Sequence, residues 1–87
     1  MALHLVFLEQ AVEELEQLQG PLYSRILKKT ELLLRFPYLG AEMFDAFFGY
    51  RSLIAEPYRI IYQVVDEKRI EIAFLFHSKR HSKNLKN

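Results

Sequence analysis

The sequence has no cysteine and no tryptophan, and only three glycines and three prolines in 87 residues. Without cysteine there is no disulfide framework and no thiolate metal site, so a chain this short must be stabilised by packing. Lack of cysteine also agrees with a reducing compartment. No apolar run reaches the roughly 18 residues that a membrane helix needs. Residues 1–8 are apolar but carry no basic residue before Glu9. No secretory signal is therefore expected, and a cytoplasmic location is the default. Gly20, Gly40 and Gly49 are isolated, which excludes a glycine-rich phosphate loop. What is present is apolar bulk. Half the chain, 51%, is hydrophobic, with seven Phe and five Tyr. That is material for one dense core, and residues 1–87 read as one domain.

Charge is nearly balanced at +1 but unevenly placed. Residues 77–87 hold Lys79, Arg80, Lys83 and Lys86 and no acid, whereas residues 1–76 hold eight Lys/Arg against eleven Asp/Glu. The first twenty residues carry Glu9, Glu13, Glu14 and Glu16 and no Lys or Arg. A basic end of this kind is either a solvated tail or an attractor for phosphate or an acidic partner.

Residues 3–8 are apolar on both faces, which predicts a strand inside a sheet. From Glu9, Leu8, Ala11/Val12, Leu15 and Leu18 recur at three- and four-residue steps, which predicts an amphipathic helix over 9–19. Gly20-Pro21 ends it and starts the next. A second helix is expected over 22–36, with Leu22/Tyr23, Ile26/Leu27, Thr30 and Leu33/Leu34 in its buried stripe and Pro37 as the stop. Residues 37–49 are irregular, and Met43, Phe44, Phe47 and Phe48 either complete the core or line a groove for a partner. Core is the simpler expectation. From Tyr50 the pattern is strand-like: Arg51–Ala55, then 58–65, a polar turn at 66–69, and 70–76. Short turns make neighbouring strands antiparallel. The expected fold is α+β, order β-α-α-β-β-β, an antiparallel two-helix hairpin on a four-stranded antiparallel sheet. Leu15, Leu18, Ile26, Leu33, Ile60, Tyr62, Ile72 and Phe74 should be buried. If Val65 pairs near Ile70 across the turn, Arg59 comes beside Phe76 and within reach of His77 and Arg80.

The segment Tyr58-Arg59-Ile60-Ile61-Tyr62-Gln63-Val64-Val65-Asp66-Glu67 resembles the "YRVIYxVxDD/E" strand and turn of the RelE/ParE toxin superfamily. Gly49-Tyr50-Arg51-Ser52-Leu53 is similar to its "G-x-R-x-L" strand, and Phe76-His77-Ser78-Lys79-Arg80 to its "H-x-x-R" close. Leu34 to Gly40 is similar to its "L-x-x-F-P-x-L-G". The four pieces occur in the family's order and span nearly the whole chain. The resemblance implies a toxin of a type II toxin–antitoxin module with a cognate antitoxin as partner. It also implies one of two activities. RelE-like members cleave mRNA on the ribosome without a metal, and ParE-like members poison DNA gyrase. An inactive member that only binds its antitoxin is a third reading.

RNA cleavage through the ribose 2′-OH needs a base, a cation on the phosphate and an acid for the leaving oxygen. Arg59 and Arg80 match phosphate-holding arginines of RelE-like toxins, and the alternative for Arg59 is a pairing with Glu56 or Glu71. His77 and His81 are the candidates for proton transfer, since a free imidazole titrates near neutrality. Arg51, Lys79, Lys83 and Lys86 are candidate RNA contacts. One departure from the family pattern stands out. RelE-like nucleases often carry a Tyr in the last residues, and here no aromatic follows Phe76. His77 and His81 are four apart, but with no cysteine and no acid in the tail, neither a metal nor another cofactor is expected.

Overall fold

The computed structural model describes residues 3–78. Strand β1 (His4–Phe7) leads into helix α1 (Glu9–Glu16) and helix α2 (Pro21–Leu32). A two-residue strand β2 (Ala41–Glu42) follows, then a 3-10 turn at Asp45–Phe47, and strands β3 (Arg51–Ala55), β4 (Tyr58–Val64) and β5 (Arg69–His77). Both helices are shorter than their apolar periodicity suggests. After Leu32 the chain continues in tighter turns, with Leu33, Leu34 and Arg35 each donating to the carbonyl three residues back. The break between the helices is as expected: Gly20 has φ 55° and Pro21 opens α2, where a missing N–H costs nothing.

The sheet has five strands in the order β1-β5-β4-β3-β2, not four, and it is mixed, not wholly antiparallel. Strands β2 to β5 pair antiparallel, but β1 pairs parallel with β5, His4 opposite Arg69 and Phe7 opposite Ile72. Hairpin turns force antiparallel neighbours only between consecutive strands. The two helices between β1 and β5 carry the chain back so that these two can run parallel. Strand β2 is too short to leave a period in the sequence.

One sheet face is covered by the helices. Ala11, Leu15, Ile26 and Leu33 pack there against Leu53, Ala55, Ile60, Tyr62, Ile70, Ile72 and Leu75. Thr30 is buried with them, its hydroxyl donating to the Leu27 carbonyl at 2.7 Å. Six of the seven strand positions follow strict alternation. Leu75 does not, and its presence marks a β-bulge. Ile61 faces Phe74 while Tyr62 faces Ile72, so β5 has one extra residue, Ala73, at that point. The extra residue reverses which side chains face the helices. Phe74, expected in the core beside Ile72, therefore turns to the other face and is half-buried there, and Leu75 takes the core position. Leu18 is half-buried at the edge of the core rather than inside it.

Beyond Phe7 none of the described strands covers that side of β5. Glu14 of α1 fills in: its carboxylate accepts the Leu75 amide N–H at 2.6 Å. A glutamate on a helix thus replaces a ladder hydrogen bond and pins α1 to the sheet.

Gly40 closes the far side of the core. A β-carbon there would lie 2.8 Å from Tyr62 Cε1 and 2.9 Å from the Ser52 carbonyl oxygen, closer than packed atoms tolerate. Gly40→Ala should therefore destabilise the fold by about 1–3 kcal/mol, read as a lower urea midpoint with unchanged slope. A variant as stable as the parent would show that the 37–42 segment can shift without cost.

Candidate functional site

Among the described residues no α-helix covers the sheet's second face. Along β4, Arg59, Ile61 and Gln63 alternate towards it. Arg59 lies directly opposite Phe76 of β5, the neighbour expected from the β4–β5 turn. The 43–48 segment folds over part of this face: Met43 and Phe47 join Arg59, Ile61, Phe74 and Phe76 around a cavity of about 410 Å3. Phe47 stacks on Phe74 at a tilt, with ring centroids 5.8 Å apart, and Ile61 is almost fully covered. Arg59 is exposed and makes no ion pair with any described residue. The two pairings considered for it are not formed: Glu71 pairs with Arg69 at 3.4 Å, and Glu56 has no ion pair among the described residues. The result is a guanidinium at the rim of an apolar, aromatic hollow.

His77 is elsewhere. It is paired in register with Tyr58, one step from the Arg59–Phe76 pair, so its side chain leaves on the helix side. Its ring meets the Tyr58 ring edge-on at 4.9 Å. It lines a recess of about 230 Å3 with Glu14, Gln17, Leu18, Tyr58 and Leu75. The structure therefore brings Arg59 to Phe76 but leaves Arg59 and His77 on opposite faces of the sheet. Arg80, His81, Lys79, Lys83 and Lys86 lie outside the described residues.

Arg51 is committed to its own loop. Its Nη1 donates to the carbonyls of Gly40 (2.7 Å) and Tyr38 (3.3 Å), its Nη2 reaches Glu42 at 3.3 Å, and the guanidinium sits 4.9 Å from the centre of the Tyr38 ring. Behind it, the Tyr62 hydroxyl donates to the Pro37 carbonyl at 2.8 Å and accepts the Gly40 N–H at 2.9 Å. Burial pushes the Tyr62 phenol above its ordinary pKa, against the opposing pull of the Gly40 amide and the Arg51 charge. Pro37, Gly40, Arg51 and Tyr62, all parts of the short sequence patterns noted above, thus form one clasp that holds the irregular segment to β3 and β4.

That segment does not complete the core. Phe44 is 66% exposed and Phe48 78% exposed, and Phe47 is also exposed. The loop is anchored by main-chain and polar contacts, so its rings are free to point outward. Phe47 covers the open face, while Phe44 and Phe48 line a neighbouring hollow of about 340 Å3 with Tyr38, Met43 and Tyr50. By residue type and period Phe74 reads as core, and Phe47 as core or as part of a partner groove, so neither stands out as a neighbour of Arg59. No group of His, Asp or Glu among the described residues is arranged to hold a metal.

Residues 5–81 match the family model described as ParE toxin of the type II toxin–antitoxin system parDE. The chain belongs to this toxin family. Among solved structures it is similar to the toxin–antitoxin complex RelBE2 of Mycobacterium tuberculosis, at 21% identity over 88% of this chain and 99% of that one, with a TM-score of 0.79. The isolated RelE toxin of E. coli is 25% identical over 98% of this chain and 97% of that one, TM-score 0.72. The chromosomal ParDE system of P. aeruginosa gives 21% identity, 87% and 96% coverage and a TM-score of 0.69. No curated protein matches. The family's members thus share this helix-covered sheet across low sequence identity, and the fold alone does not choose among their activities.

The clasp makes a prediction for this toxin. A phenol whose folded-state pKa is raised contributes stability that is complete below about pH 10, its ordinary value, and is lost as pH rises through the folded value. Tyr62→Phe should cost about 1–3 kcal/mol at neutral pH, because the Pro37 carbonyl and Gly40 amide lose their partner. Its unfolding free energy should also fall less steeply above pH 10 than that of the parent. Equal slopes in alkaline urea titrations would remove Tyr62 as the titrating group.

Proposed function

We propose that this toxin is a metal-independent endoribonuclease that acts on mRNA at the ribosome and is held silent by a cognate antitoxin. The observation that carries this reading is Arg59, which forms no ion pair with any described residue, at the rim of the aromatic hollow formed by Phe47, Phe74 and Phe76. Single-stranded RNA is recognised by stacking bases on aromatic rings while cations hold the backbone. A guanidinium next to such rings offers both, and it stays charged at any physiological pH. In this reading Arg59 binds the scissile phosphate and stabilises the charge that grows on it, with Arg80 as the second clamp. His77 packs against Tyr58 on the other face, so proton transfer falls to His81. Lys79, Lys83 and Lys86 add attraction for the RNA backbone. The exposed rings of Phe44, Phe48 and Tyr38 suit an antitoxin segment that folds on contact, and the M. tuberculosis and P. aeruginosa relatives are themselves toxin–antitoxin systems.

A second reading, a non-enzymatic poison of DNA gyrase, is favoured by the family model that matches and by the placement of His77 and Arg59 on opposite faces of the sheet. Translating extracts separate the two. Arg59→Ala should lower mRNA cleavage by about a hundred- to a thousandfold, with thermal unfolding and antitoxin binding unchanged. Arg59→Lys should recover only part of the activity, since it lacks the planar fork. Intact mRNA together with blocked gyrase supercoiling would replace the first reading by the second.

A further inference from the structure

The outer surfaces of the two helices carry opposite charge. On α1, Glu9, Val12, Glu13 and Glu16 fall on one stripe, opposite the buried Ala11 and Leu15, and all four are exposed. Glu14 is not among them, since it is spent on Leu75. On α2, Pro21, Ser24, Arg25, Lys28, Lys29 and Leu32, all on the helix's own outer face, border a shallow, open groove on the side away from Ile26 and Thr30. Its floor is apolar, made of Leu32, Pro21 and the aliphatic stems of the cations. Its one neighbouring acid, Glu31, lies off the stripe. None of these three carboxylates or three cations makes an ion pair among the described residues. Each stripe is therefore a row of like charges at three- and four-residue spacing, an arrangement that repels itself and is relieved by an opposite row.

We propose that the two stripes are the two halves of one self-complementary interface: α1 of one copy lies in the α2 groove of a second copy, and the reverse. Glu9, Glu13 and Glu16 would meet Arg25, Lys28 and Lys29, while Leu8 and Val12, both more than a third exposed, cover Leu32 and the groove floor. Because the same chain supplies both rows, the contact closes on itself as a two-fold dimer and does not propagate. Three charge pairs near the surface make the dimer salt-dependent, since the screening length falls from about 10 Å at 0.1 M salt to about 3 Å at 1 M.

The test is a charge swap read by analytical ultracentrifugation of the purified full chain at low salt. The parent should dimerise and return to monomer as salt rises. Lys28→Glu with Lys29→Glu makes both stripes acidic, and Glu13→Lys with Glu16→Lys introduces basic residues into α1 opposite the basic α2. Each double variant alone should dimerise at least tenfold more weakly. Mixed one to one, they should form a heterodimer, because both contacts then join opposite charges. Circular dichroism checks that each variant is folded. A parent that stays monomeric at all salts, or a mixture that stays monomeric, overturns the proposal. In that case a groove that instead binds an acidic antitoxin helix has a different occupant from the one proposed.

Discussion

One buried hydroxyl controls the irregular segment of this molecule. Tyr62 sits in the middle of β4, on the helix side, and its oxygen is shared between the Pro37 carbonyl and the Gly40 amide. The Gly40 amide is buried and the Pro37 carbonyl partly so, and leaving either without its partner costs stability, so the chain leaving α2 is held to this path. Gly40 can follow that path only because it has no side chain. Arg51 then gathers the Tyr38 and Gly40 carbonyls and Glu42, which lays β2 along β3. From there the chain must pass over the open end of the sheet, and Met43 and Phe47 arrive above Arg59. A polar contact in the core therefore places the apolar wall of the site.

The bulge at Ala73 works in the same direction from the other strand. Without the extra residue, Phe74 would belong to the core with Ile72, and the open face would have lost one of its three rings. With it, Leu75 fills the core and presents its amide to Glu14, while Phe74 turns to meet Phe47. Bulges commonly re-aim side chains beside functional sites. Here the cost of an interrupted ladder is offset by a carboxylate on α1, so the site depends on an acidic residue in a helix on the opposite face.

Much of this was legible in the sequence because it is local. Helix and strand order followed from apolar periodicity, the break at Gly20-Pro21 from backbone chemistry, and the Arg59–Phe76 pairing from the short turn at 66–69. What escaped was what local pattern does not encode. A single inserted residue in β5 leaves no composition signal yet exchanges Phe74 for Leu75. The parallel docking of β1 depends on a partner some 65 residues away in sequence. Phe44, Phe47 and Phe48 look like core by residue type, and only the Tyr62 clasp shows why they end up outside it. His77 lies one residue from Phe76, but alternation along a strand puts neighbours on opposite faces, and proximity in sequence misled.

The division between faces bears on how such a small toxin keeps its tasks apart. The core is one layer thick, so each sheet residue serves either the helices or the open face. The open face is left with Arg59 and three aromatic rings, chemistry suited to an anionic, stackable target. The helices' outer surface, separated from it by the whole core, keeps charges that none of the described residues neutralise. Electrostatic coupling across that distance is weak in physiological salt. The proposed association through the helices and the proposed target binding on the sheet would then be altered independently, and only the clasp, which shapes the loop between them, would disturb both at once.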